Sequence, residues 1–139
     1  MRSGLLIMLG VVLVAGCSGG PLDAGDDRCP CLAKDIEVAN GKAAIIASES
    51  LELRFEGVGS DSRCPINARC VWEGDAAVTI GLTKPGQQPG RLELHTSGRF
   101  EQEGRYLSYH VRLSTLRPEP QTDRPIAPSD YRATVVVTR

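Results

Sequence analysis

The chain has 139 residues, a formal net charge of −1 at pH 7 and few aromatic rings, with one Trp, three Tyr and two Phe. Acidic and basic residues are mixed along the sequence, which excludes the basic clusters through which proteins bind nucleic acid. The scarcity of rings also argues against a stacking platform for sugars or single-stranded nucleic acid.

The first segment of the chain predicts export. Arg2 precedes an apolar run over 5–14 that is too short to span a bilayer, and small residues follow it. This order is typical of a secretory signal peptide. Ala15 and Gly16 stand directly before Cys17 and resemble the lipobox of bacterial lipoproteins. The resemblance implies removal of 1–16 and a lipid anchor on Cys17, whereas an ordinary secretory signal is the alternative.

Lipidation of Cys17 predicts a membrane attachment that needs no spanning segment. Ser18 follows the anchor, where the sorting rule of enteric Gram-negative bacteria reads Asp as retention in the inner membrane. By that analogy we expect the outer membrane, facing the periplasm, with the cell surface as an open alternative. Residues 17–33 are expected to contain the lipidated cysteine and a flexible, glycine-rich tether. The remaining 34–139 are enough for one domain.

The domain shows alternation of apolar and polar residues with period two, which is typical of strands with one buried face. The Asn40-Gly41 turn predicts a hairpin between the first two strands. Turn residues separate the runs and no helical period is present, so we expect an all-β, antiparallel β-sandwich of about seven strands. A small closed barrel would show the same alternation. The predicted strands cover 35–38, 43–46, 51–56, 71–83, 92–95, 107–113 and 131–138.

Four cysteines remain after the anchor, namely Cys29, Cys31, Cys64 and Cys70. In an exported protein, an even number of cysteines predicts disulfides first. We favour a Cys64–Cys70 bridge because the five residues between them form a compact turn that a bridge can close. Cys29 and Cys31 then remain for each other, although pairings that tie them to the Cys64–Cys70 loop are alternatives.

A periplasmic metal-binding or redox protein is the alternative function for Cys29, Cys31, His95 and His110. The cysteine gaps of one and five residues do not fit a zinc ribbon, although a Cys-x-Cys pair suits Cu(I). Both histidines fall on the solvated faces of predicted strands and would form a metal site only if those strands were neighbours. We therefore predict no metal and no cofactor.

The segments 61–65 and 70–76 carry the motif Asp-Ser-Arg-Cys-Pro, then Cys-Val-Trp-Glu-Gly-Asp-Ala. This motif resembles a pattern found in exported bacterial proteins of unknown function. The flanking strands are also similar, so that the resemblance covers most of 36–138. It implies a β-sandwich and brings no catalytic or ligand residue with it.

We interpret this motif first as architecture. Trp72 is expected to pack on the disulfide and fill one end of the core. Gly74 predicts a bulge or a close backbone approach, and Arg63 is expected to pair with a nearby carboxylate. The alternative is a recognition patch held rigid by the bridge. Its members would be Asp61, Arg63, Trp72, Glu73 and Asp75.

The sequence contains none of the common catalytic motifs, such as His-Glu-x-x-His, Gly-x-Ser-x-Gly or a glycine-rich phosphate loop. We therefore expect a lipid-anchored, non-enzymatic envelope lipoprotein that acts as a binding or structural module. Its expected partners are the membrane, through Cys17, and an envelope protein or ligand. An inhibitor of an envelope hydrolase, with the Cys64–Cys70 loop as its contact, is a further alternative.

Overall fold

The computed structural model describes residues 33–139, which form two four-stranded antiparallel sheets. Eight strands are present in this part of the chain, so the expected sandwich is confirmed. The strands are β1 (Ala33–Ala39), β2 (Ala43–Ile46), β3 (Leu51–Asp61), β4 (Ala76–Thr83), β5 (Gly90–His95), β6 (Glu103–Tyr106), β7 (Tyr109–Arg117) and β8 (Arg132–Thr138). Two single-turn 3₁₀ helices lie at Ala47–Glu49 and Pro128–Asp130. No helix within 33–139 is long and apolar enough to cross a membrane.

The first sheet has the order β1-β8-β7-β6 and the second has the order β2-β3-β4-β5. The chain thus passes from neighbour to neighbour around the sandwich, and the first described strand pairs with the last. The alternating apolar residues of both sheets point inward and form one core, because each sheet covers the apolar face of the other. The largest fully buried side chains are those of Tyr109, Phe55, Ile46, Leu51, Leu53, Ile80, Leu82 and Leu94.

The turn at Asn40-Gly41 is present, with Gly41 at φ 74°, but the predicted hairpin is wrong. β1 pairs with β8, and β2 pairs with β3. The turn therefore crosses from one sheet to the other. The reason is that the Gly41 N–H donates to Phe55 in β3 (2.8 Å), and the Phe55 N–H donates to Lys42 (3.0 Å), so β3 takes the pairing that β1 would have used.

The single strand predicted over 107–113 is in fact the second half of a hairpin. β6 ends at Tyr106, and Leu107 is exposed with φ 53° in the turn before β7. β6 carries little apolar pattern because Gly104 occupies one of its four positions. A Cβ at Gly104 would lie 2.9 Å from the Leu92 side chain. The close approach of β5 therefore explains why residue 104 is a glycine, which the alternation of apolar and polar residues could not predict.

The strand predicted over 71–83 begins only at Ala76. Val71 is fully exposed, and Gly74 has φ 75°, a value that an extended strand does not contain. The segment 62–75 is therefore a long loop between β3 and β4.

The sandwich has two ends, one at the start of β1 and the other at the loop that contains Cys64 and Cys70. We call them the N-terminal end and the disulfide end. At the N-terminal end, Ala33 of β1 pairs with Thr138 of β8. At the disulfide end, Asp61 of β3 pairs with Ala76 of β4, and Arg117 of β7 pairs with Arg132 of β8. The eleven residues of β3 run between these ends, which places them about 30 Å apart.

Candidate functional site

The disulfide loop, residues 62–75, and the β7–β8 connection, residues 118–131, are equally long and are the two longest connections between paired strands in the described part of the chain. Cys64 and Cys70 form a disulfide within the disulfide loop, with an S–S distance of 2.07 Å, so this predicted pairing is confirmed. Cys17, Cys29 and Cys31 lie outside the described residues, and the predictions on them stay predictions.

The two arms of the disulfide loop are held together by their backbones. The Ser62 N–H donates to the Asp75 carbonyl (2.7 Å), and the Cys64 N–H donates to the Glu73 carbonyl (2.7 Å). The predicted close approach at Gly74 is confirmed, since a Cβ there would lie 2.0 Å from the Ser62 carbonyl oxygen. The arms thus extend the β3–β4 pair as far as the disulfide.

Arg63 pairs with a nearby carboxylate as expected, and this carboxylate is that of Asp61. Its Nε and one terminal nitrogen donate to the two Asp61 oxygens at 2.9 and 2.7 Å. Both side chains are only 11% exposed. This bidentate pair orients the guanidinium firmly, because two parallel hydrogen bonds fix its plane.

The same guanidinium reaches the opposite sheet. Arg63 donates to the Leu116 carbonyl (2.7 Å) and to the Pro118 carbonyl (2.9 Å), at the end of β7. The Tyr131 hydroxyl donates to Asp61 (2.9 Å) just before β8 begins. Burial raises the pKa of Asp61, but hydrogen bonds from Arg63 and Tyr131 outweigh it, so that the pKa is lowered. Burial and the Asp61 charge raise the pKa of Tyr131 to about 12.

Asp75, at the end of the disulfide loop, organises the neighbouring 95–97 segment. It accepts hydrogen bonds from the N–H groups of Thr96 (3.1 Å) and Ser97 (3.0 Å), and its second oxygen lies 2.6 Å from His95 Nδ1. Burial raises the pKa of Asp75, but the hydrogen bonds from His95 and Ser97 outweigh this effect, so that the pKa lies below its usual value. Asp75 is therefore an ionised acceptor with its partners already in place.

Within 33–139, no hydroxyl or thiol group is hydrogen-bonded to the His95 imidazole, whose Nε2 lies 3.6 Å from Glu93. Ser97 is buried, and its hydroxyl donates to Glu73 (2.6 Å) rather than to His95. The Phe100 ring packs on the imidazole with 5.0 Å between centroids. The Asp75–His95 pair thus holds the loop and does not show the arrangement of a histidine that activates a hydroxyl.

The expectation that His95 is solvated is wrong, since its side chain is 19% exposed. His110 is more open, and Arg105 lies 3.1 Å from its Nε2. His95 ends β5 in the second sheet and His110 is the second residue of β7 in the first, so the two histidines lie in different sheets and at opposite ends. Within 33–139, no three His, Cys, Asp or Glu side chains are grouped as metal ligands.

The expected core position of Trp72 is also wrong. Its side chain is 41% exposed, and the Arg99 guanidinium lies over the ring, 5.4 Å from its centroid. The reason is that β4 begins four residues later, so Trp72 lies in the disulfide loop and not at the start of a buried strand.

The disulfide loop presents exposed apolar side chains, of which the predicted recognition patch contained only Trp72. These are Ile66, Val71 and Trp72; together with the exposed Phe100, which lies between β5 and β6, we call them the loop surface. In contrast, Asp61, Arg63 and Asp75 of the predicted patch are partly or fully buried with internal partners. A signal was available for Ile66, because it is an apolar residue in a turn-rich segment outside the predicted strands.

No protein-family model matches the chain, and neither the curated proteins nor the solved structures contain a match to it. The resemblance of 61–65 and 70–76 to exported bacterial proteins therefore stays a prediction.

Replacing Gly74 by Ala should destabilise the fold by about 3 kcal/mol, because the new methyl group meets the Ser62 carbonyl and the backbone has positive φ. Gly86→Ala is the matched control, since φ is 74° there but no atom lies within 4 Å of the new Cβ. It should cost about 1 kcal/mol. Urea unfolding measures both, and equal costs would contradict the close approach.

Asp61→Asn should destabilise the protein by about 2 kcal/mol at pH 7, because charged hydrogen bonds to Arg63 and Tyr131 are weakened. The folded-state pKa of Asp61 is lowered, so this stabilisation is present above the usual pKa of 3.8 and is lost as pH falls below it. The difference between wild type and variant should therefore shrink at acid pH. Asp123→Asn, at an exposed site, serves as the control. A difference that is constant from pH 7 to pH 2 would contradict the assignment.

Proposed function

We propose that this chain is a lipid-anchored, non-enzymatic envelope protein that binds another protein through its loop surface. One observation carries the proposal. The disulfide loop is held by the Cys64–Cys70 bridge, by the Arg63 hydrogen bonds and by Asp75, yet Ile66, Val71 and Trp72 on it are exposed.

A rigid loop with exposed apolar side chains is suited to binding. Because the loop backbone is already ordered, little conformational entropy remains to be lost when a partner covers it. Tryptophan and arginine are the side chains most enriched among residues that dominate binding energies. Trp72 and Arg99 stand together here, with the cation over the ring. Burial of Trp72, Val71 and Ile66 by a partner would remove apolar area from water.

The topology supports an outward orientation of the loop surface. The described chain begins at Ala33, at the N-terminal end, and the disulfide loop lies at the other end of the sandwich. In our proposal the lipid on Cys17 and the tether over 17–33 attach at the N-terminal end. The loop surface then faces away from the membrane, where an envelope protein has access to it.

Inhibition of an envelope hydrolase is a second candidate, and the position of the loop favours it. Active sites are concave, and inhibitor loops that fill them gain affinity from being held rigid before binding. The Ile66 N–H donates to the Pro120 carbonyl (3.0 Å), and Asn67 exchanges two hydrogen bonds with Thr122. The tip of the disulfide loop is thus supported from the side as well as closed by its disulfide.

A photo-crosslinking amino acid placed at Ile66 or Trp72 in the full chain should capture one discrete envelope protein. Ile45 is the matched control, because it is an equally accessible isoleucine, 70% exposed against 60% for Ile66, and lies on β2 away from the loop. Crosslinked products are separated by mass and the captured protein is identified by mass spectrometry. Capture at Ile45 equal to that at Ile66, or none at either loop position, would contradict the proposal.

If the captured protein is a hydrolase, its activity decides between the two candidates. An inhibitor should lower the rate in a stoichiometric titration, and Trp72→Ala should weaken that inhibition at least tenfold. Binding without any effect on the rate of the hydrolase would exclude inhibition, and the proposed function as a binding module would remain.

Cys17→Ser should abolish lipid labelling in a bacterial host that processes lipoproteins, and it should move the protein from the membrane fraction to the soluble fraction. The physical reason is that acyl chains contribute about 0.8 kcal/mol per buried CH₂, and no other anchor is proposed. Radiolabelled palmitate measures the modification. Cys64→Ser is the control, since a cysteine engaged in a disulfide is not an acylation site. Unchanged labelling of Cys17→Ser would overturn the anchor.

A further inference from the structure

A concave surface adjoins the disulfide loop. It is a groove of about 780 Å³ lined by Ile66 of the loop, by the segment that follows β7 and by the first residue of β8. Pro118, Pro125 and Ile126 give it an apolar component. Its size lies within the range of sites that hold a ligand of several functional groups or a short peptide.

Three arginines line this groove, namely Arg117, Arg124 and Arg132. Arg117 and Arg132 are direct partners in the register of β7 and β8, and both are exposed. Like charges placed directly opposite in adjacent strands repel each other and destabilise the pair. The register thus concentrates positive charge at a position where the sheet itself gains nothing from it.

Carboxylates within the groove offset only part of this charge. Arg117 has an exposed ion pair with Glu119 (3.2 Å), and Asp130, the other acidic residue that lines the groove, accepts a hydrogen bond from Ser129 (3.4 Å). Arg124 and Arg132 form no ion pair with any residue in 33–139. Their guanidinium groups therefore have donors available for an incoming anion.

We propose that this arginine groove binds an extended acidic peptide segment of the protein partner. The inference rests on the proposed function, because it names the chemistry of that partner. Guanidinium groups bind carboxylates in a bidentate manner, and a peptide with alternating acidic and apolar side chains would satisfy both Arg124 and Arg132 and the apolar residues between them. Ile66 belongs to both surfaces, so a single partner can cover the loop surface and the groove.

Two features favour a peptide over the other anions. The groove is far larger than an inorganic phosphate needs, and its apolar component would be left uncovered by one. A phospholipid headgroup is disfavoured because the groove lies at the disulfide end, beside Arg117 and Arg132, and the described chain begins at the N-terminal end.

The test uses the full chain and a fluorescent, acetylated hexapeptide of alternating Glu and Leu, with the Gln and Leu analogue as the neutral probe. Fluorescence anisotropy should show binding of the acidic peptide only. Arg124→Gln and Arg132→Gln should each weaken it at least tenfold. Arg91→Gln is the control, because Arg91 is an exposed arginine of β5 in the other sheet, paired with Glu56, and it should leave the affinity unchanged.

A stability measurement separates a binding role from a structural one. Since Arg132 faces Arg117, Arg132→Gln should raise the melting temperature of the free protein slightly while it weakens peptide binding at least tenfold. A fall in melting temperature would assign Arg132 to the fold and overturn the proposal. Equal binding of the neutral peptide, or of the acidic peptide to both variants, would overturn it as well.

Two further arms identify the source of the anion. Vesicles that contain anionic phospholipid should not bind through Arg132, and millimolar inorganic phosphate should not displace the peptide. Vesicle binding that is lost in Arg132→Gln would identify a phospholipid as the ligand instead, and displacement by phosphate would identify a phosphate group. Trp72→Ala should leave peptide binding unchanged, because Trp72 does not line the groove. The peptide assay therefore reports on the groove alone, whereas crosslinking at Trp72 reports on the proposed function.

Discussion

The bidentate ion pair between Asp61 and Arg63 is the constraint on which the disulfide end depends. One guanidinium binds a carboxylate two residues away and two backbone carbonyls, Leu116 and Pro118, that lie more than fifty residues along the chain. Lysine would not replace it, since a single ammonium group lacks the planar fork that meets these acceptors together. Because both charges are largely withdrawn from water, removal of either one would leave the other without compensation.

The N-terminal end is closed by a different cluster. Glu49 accepts hydrogen bonds from the Tyr109 hydroxyl (2.5 Å) and from Arg139 (3.0 Å). Lys84 donates to the backbone carbonyl of Glu49, and both cations lie near the Tyr109 ring. Glu49 precedes β3 in the second sheet, whereas Tyr109 begins β7 in the first. The two sheets are thus tied by polar groups at each end, with the apolar core between them.

The sequence predicted what depends on local pattern and missed what depends on distant contacts. The alternation of apolar residues is strong in β3, and the short gap between Cys64 and Cys70 identified the disulfide. β6 was not predicted from the sequence. Its residue Gly104 is required because β6 packs closely on β5, and the residues next to Gly104 in the sequence give no indication of that contact. Trp72 was expected in the core because it precedes an apolar run. The reach of Arg63 to the end of β7 likewise depends on the assembled sheets.

The opposite positions of Ala33 and the disulfide loop have a mechanical consequence. A load applied between the start of β1 and the loop runs along the strands, so that the seven register pairs of β1 and β8 are sheared together instead of being opened one after another. Parallel loading of this kind gives an antiparallel ladder its greatest resistance to extension. A domain pulled at these two points would therefore resist extension better than one whose strands are opened one pair at a time.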